Sequence, residues 1–152
     1  MINLNLGVFF MVWLPVIHTF VGAGGILFIE DDHYFIFKAG LGIGTNNLAE
    51  LCALKLLLTL ALDKQISKIQ VFGDFLLVIN WVTCKFRIHN FQLAQILQEV
   101  IRLTDFFDHK HIYREHNTLV DKLANDGGKV QNGFWSITEY HGSDRHDTFQ
   151  VF

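Results

Sequence analysis

From Met1 to Ile29 the chain carries no charged side chain, and from Leu6 onward this stretch is apolar apart from His18 and Thr19. A segment of that length must leave water, either as a bilayer span or as strands inside a globular core. A secretory signal would place Lys or Arg ahead of the apolar run, and none is present. Pro15 and the glycines Gly22, Gly24 and Gly25 break or loosen helices. Two buried strands are therefore expected, with a membrane anchor through residues 6–29 as the rival reading. At 152 residues the chain is one domain's length. Its 51% apolar and 18% charged content excludes a disordered tail. The net charge of −3 means that a nucleic-acid partner must be held by a local basic patch. Cys52 and Cys84 make no disulfide framework and no CxxC pair, so buried free thiols are expected.

The remaining chain reads in order. Residues 23–29 and 34–39 are β-favouring runs on either side of Glu30-Asp31-Asp32, which predicts a hairpin. Residues 40–44 form a loop or strand end. Residues 47–62 are leucine-rich without a breaker and predict a helix buried on much of its surface. Residues 68–72 predict a strand ending at Gly73-Asp74, followed by a short apolar helix over 75–82 and the basic stretch Lys85-Phe86-Arg87. A helix over 91–103, a strand over 110–114 and a helix over 118–125 complete the pattern. Residues 128–152 show no strong period and read as an irregular extension of a domain spanning 1–127. This order predicts an α/β layer fold with a mixed sheet.

Three carboxylates stand at the ends of these elements: Glu50 near the start of the first long helix, Asp74 behind a strand, and Asp121 in the first turn of the last helix. Asn47-x-x-Glu50 and Thr118-x-x-Asp121 fit capping boxes, and Asp74 fits an N-cap. Brought together, the same three acids would repel one another unless divalent cations shared them, and two Mg²⁺ ions could then hold and cleave a phosphodiester. Other patterns are weaker. Gly40-x-Gly42-x-Gly44 lacks the third glycine at dinucleotide-loop spacing. His109 and His111 would share a strand face, where solvated histidines are the ordinary outcome.

The strings GAGGILF (22–28), GTNNLAEL (44–51), INW (79–81) and YREHNTLVDKLAN (113–125) resemble the ribonuclease H family, type 1, with plant retroelement-related domains nearest. The resemblance runs from about Gly22 to Gly127. It implies a ribonuclease H-like fold with a mixed five-stranded sheet flanked by helices, Mg²⁺ or Mn²⁺ as the cofactor, and an RNA–DNA hybrid as the partner. By the resemblance, Glu50, Asp74 and Asp121 match three of four metal-binding acids. Thr45, Asn46 and Asn47 match a loop touching the hybrid in its minor groove, where the 2′-hydroxyl marks RNA. Lys85 and Arg87 fall where basic residues meet the DNA strand's phosphates. No small-molecule cofactor, a monomeric state and an intracellular setting complete the expectation.

One departure bears on chemistry. Counting back from Ala23-Gly24-Gly25, the family's first acid falls at Met11, and no acid occurs before Glu30. A thioether does not replace a carboxylate for Mg²⁺, a hard ion that takes oxygen donors. Residues 1–21 thus read as a degenerate first strand and loop. A reading frame shifted by one base between Phe10 and Val21 accounts for Met11-Val12 where Asp-Gly is expected. Impaired hydrolysis of the RNA strand, or a non-catalytic nucleic-acid-binding relic, are the two functional expectations.

Overall fold

The computed structural model describes residues 7–13, 20–73, 90–114, 122–123, 126–127 and 129–151. Their centre is a mixed seven-stranded sheet in the order β5-β4-β1-β2-β3-β6-β7. Strands β1 (Gly7–Trp13), β2 (Phe20–Glu30) and β3 (His33–Ile43) form an antiparallel meander. The described residues of the uncharged N-terminal stretch form β1 and most of β2. No helix of the described residues is long and apolar enough to cross a membrane. The β2–β3 hairpin turns at Asp31-Asp32, as the polar triplet predicts. Strand β3 runs on to Ile43, beyond the expected end at residue 39, with Gly42 at a φ of 69°.

Helix α1 (Asn46–Asp63) follows β3. Leu51, Leu54, Leu57, Leu58 and Ala61 are almost wholly buried, and α1 packs on β1 and β2 on one side and on helix α2 (Phe91–Thr104) on the other. A helix covered from two sides is apolar around most of its circumference, which is why the leucines follow no single stripe. Lys55 crosses to Glu99 of α2 at 2.5 Å. Helix α2 is capped by Asn90, whose Oδ1 accepts the Leu93 N–H at 3.2 Å. It turns Leu97 and Val100 into the core and leaves Phe91 exposed. Between the helices, β4 (Lys68–Gly73) pairs parallel with β1, and β5 (His109–Arg114) pairs parallel with β4. The short helix expected over 75–82 lies outside the described residues. Of the helix expected over 118–125, Lys122 and Leu123 are described and helical.

The C-terminal segment corrects the sequence expectation. Residues 128–152 are not an irregular extension: β6 (Phe134–His141) and β7 (Asp144–Val151) form a hairpin that continues the sheet beyond β3, giving seven strands instead of five. In β6 the alternation is present, with Trp135 and Ile137 buried beside Phe37 and Ser136 and Thr138 on the other face. In β7 it is absent because this strand is the outer edge of the described sheet and nearly every residue is exposed. Gly142, at a φ of 61°, turns the hairpin.

Candidate active site

Parallel strands direct their carboxyl ends to the same edge of a sheet, where α/β folds hold their ligands. In this sheet β1 and β4 are adjacent parallel strands with Val8 opposite Val71 and Phe10 opposite Gly73. Met11 is the next residue of β1, paired on its other side with Gly24 of β2. Its backbone therefore stands one step beyond the pair formed by Gly73, the residue that precedes Asp74.

Glu50 enters from α1. The N-cap is Thr45, whose Oγ1 accepts the Leu48 N–H at 3.2 Å. This replaces the expected cap at Asn47: the cap lies two residues earlier, and Leu48 occupies the position where a capping box needs its acid. Glu50 lies five residues past the cap and is no part of a box, so the capping account of this acid fails. It is 8% exposed, the one buried charged residue among those described. Burying a carboxylate is costly unless hydrogen bonds or cations compensate it. Sites that break the rule of polar residues outside are where function is to be sought.

Thr45 and Asn47 are exposed at the start of α1, next to the end of β3. Asp74, Lys85, Arg87 and Asp121 lie outside the described residues, as does the side chain of Asn46. Among the described residues, no group of three His, Cys, Asp or Glu side chains is arranged to hold a metal ion. Glu50 supplies an oxygen donor of the kind Mg²⁺ takes, whereas a methionine at position 11 does not fit that ion. Cys52, two residues past Glu50 and so on a different side of the helix, is a free thiol. Burial pushes its pKa up to about 11, opposed by the nearby Lys55 charge and slightly reinforced by that of Glu99. A thiol kept protonated at neutral pH is a poor nucleophile. His109 and His111 are exposed on β5.

One positioning feature escaped the sequence reading. Gly127, helical and buried, lies so close to the sheet that a Cβ there would stand 2.4 Å from the Ala23 carbonyl oxygen and 2.9 Å from that of Ala39. A Cβ on Gly40 would meet the Val130 carbonyl oxygen at 2.1 Å. Small residues in β2 and β3 thus form a flat seat for the backbone at Gly127 and Val130. The run Gly22-Ala23-Gly24-Gly25 with Ala39-Gly40 was the available signal.

The comparisons with known proteins agree with this geometry. A family model described as reverse transcriptase-like matches residues 19–127. The match begins after β1, so Met11 lies outside it. No curated protein sequence matches the chain. Among solved structures, ribonuclease H1 of the halophilic archaeon Halobacterium salinarum is similar with a TM-score of 0.70 and 24% identity, over 81% of this chain and 96% of that one. LC11-RNase H1, solved in complex with an RNA/DNA hybrid, aligns with a TM-score of 0.67 and 18% identity, over 80% and 95% of the two chains. The N-terminal ribonuclease H domain of a Mycobacterium tuberculosis protein aligns at 0.54 and 17% identity, over 79% and 97%. These likenesses establish the ribonuclease H-like α/β fold expected from the sequence. With the family model covering most of the chain, the protein belongs to the reverse transcriptase-like family, built on the ribonuclease H fold.

Proposed function

We propose that this chain is a ribonuclease H-type domain that binds RNA–DNA hybrids, with Glu50, Asp74 and Asp121 as its metal-binding acids and with hydrolysis impaired at Met11. The observation that carries the reading is the buried Glu50, outside any capping box, on a helix packed against β1. The hybrid in the LC11-RNase H1 complex names the substrate class to test. When bound, divalent metal would supply an activated water and charge stabilisation for phosphodiester hydrolysis. In this chain Glu50 would furnish a buried oxygen donor, and Thr45 with Asn47 would meet the minor groove. Lys85 and Arg87 would contact the DNA strand's phosphates. The strings that carry the family resemblance favour a retroelement-related lineage of plant type, acting inside the cell as a monomer.

The test is cleavage of a labelled hybrid with Mg²⁺ and then Mn²⁺, with Asp74→Asn as the blank and Met11→Asp as the restored site. The expected result is little or no turnover in the natural sequence, at least tenfold more in Met11→Asp, and hybrid binding that weakens with added salt in both. Restored turnover that survives Glu50→Gln would overturn the assignment of Glu50. Binding without turnover in either form would leave a nucleic-acid-binding relic as the function.

A further inference from the structure

A groove of about 150 Å³ lies between the last turns of α1 and the β6–β7 hairpin. It stands at the far end of α1 from Glu50, about 14–21 Å along the helix axis. The register explains its hairpin side. Phe35 of β3 is opposite Glu139 of β6, and Glu139 is opposite His146 of β7. Opposed residues share a face, as do residues two apart along a strand, so Trp135 lies on the face of Glu139. Phe35 and Trp135, 3% and 4% exposed, give the groove an aromatic floor. From the other side α1 contributes Asp63 and the C-cap residue Lys64.

Three features make this groove favourable to positive charge. Among the described residues its rim carries two carboxylates, Asp63 and Glu139, against one ammonium, Lys64. The rim adjoins the negative end of the α1 dipole, and the last turn of α1 holds no basic side chain. The floor presents aromatic rings, whose faces attract cations. The chain itself uses this attraction: the Lys64 ammonium lies 5.0 Å from the centre of the Phe35 ring and 3.4 Å from an Asp63 oxygen.

We infer that the groove binds a small organic cation, a primary ammonium group carried on an apolar body of about the size of benzene. A cavity of this volume holds one such ring. The apolar body would rest on the Trp135 side of the floor, with the ammonium drawn to the carboxylate rim. Both acids keep acceptor capacity for it, because an ionised carboxylate offers about four lone-pair sites. Asp63 meets Lys64, and Glu139 meets His33 Nε2 at 3.2 Å. Lys64 is then a resident competitor for the same ring and the same acid, so its removal should tighten binding.

The probes are benzylamine, benzyl alcohol and benzoate, which share one shape and are positively charged, neutral and negatively charged at neutral pH. Each is titrated into the full chain, and backbone amide chemical shifts are followed by NMR. Benzylamine is expected to bind about fivefold tighter than benzyl alcohol, and benzoate more weakly than either. The shifts should fall on the end of α1 and on β6 and β7. Asp63→Asn and Glu139→Gln should each weaken benzylamine about threefold and leave benzyl alcohol unchanged. Lys64→Met should tighten benzylamine, whereas a groove for anions would lose affinity with that change. Absence of benzylamine binding by the folded chain would overturn the inference. So would equal affinity for the three probes, tightest binding of benzoate, weaker benzylamine binding in Lys64→Met, or shifts confined to other elements. None of these readouts depends on hybrid binding or cleavage, so the inference and the proposed function fail separately.

Discussion

Replacing Gly127 with alanine sets two effects of opposite sign against each other. In an ordinary helix the change removes backbone freedom from the unfolded chain and stabilises by roughly 0.5–1 kcal/mol. Here the new Cβ would stand 2.4 Å from the Ala23 oxygen, 2.9 Å from the Ala39 oxygen and 3.1 Å from the Ala23 nitrogen. All three are backbone atoms in the middle of paired strands and have no rotamer by which to yield. The helix must lift instead, and overpacking of this kind costs about 1–3 kcal/mol. The clash wins, for a net loss of roughly 1–2 kcal/mol. In a chain of this size that lowers the melting temperature by about 2–8 °C. Thermal and urea melts followed by far-ultraviolet circular dichroism measure it, with an unchanged urea slope as the sign that stability alone has moved. A Gly127→Ala protein that melts at or above the natural temperature would refute the close seating of this segment on β2 and β3.

Other expectations follow from individual side chains. Thr45→Ala should cost about 1 kcal/mol through loss of the α1 cap, Thr45→Ser should restore it, and Asn47→Ala should leave the cap intact; urea midpoints separate the three. The Cys52 thiol, raised from 9.0 to about 11 by burial, contributes stability that is complete below pH 9 and is lost as pH rises from 9 to 11. Alkylation of Cys52 by iodoacetamide at pH 8, measured in Cys84→Ser, should run about a hundredfold slower than that of an unperturbed thiol. Lys55→Ala should cost less than about 1 kcal/mol, because the Lys55–Glu99 pair is well exposed and screened despite its short distance.

Most of the fold was legible in the sequence, and the gaps have physical causes. The β2–β3 hairpin, α1, β4, α2 and β5 each announced themselves by an apolar run bounded by polar or glycine residues, and each is found within a few residues of its expected ends. Strands β1 and β2 were legible because Pro15, Gly22, Gly24 and Gly25 disfavour the long apolar helix that the absence of charge alone would allow. The N-cap was misplaced by two residues because Thr45, Asn46 and Asn47 are all competent caps, and only the backbone chooses among them. The tail was misread because an edge strand exposed on both faces needs no apolar alternation, so β7 gives none. For the site, Glu50 was legible as an acid near a helix start, whereas its burial depends on tertiary packing that no local pattern announces.

The β6–β7 hairpin also changes what the sheet offers at its border. Strand β3 spans 11 residues and includes Tyr34, Phe35, Ile36 and Phe37 in succession. Without β6 its outer side would offer a long, aromatic template of unpaired N–H and C=O groups, the kind of surface that seeds lateral growth of fibrils. β6 covers that side over residues 33–39. β7 then presents Asp144, Arg145, His146 and Asp147 as the new boundary. The hairpin thus trades a sticky border for a charged one, and truncation before Phe134 is expected to yield a chain that folds its core yet precipitates.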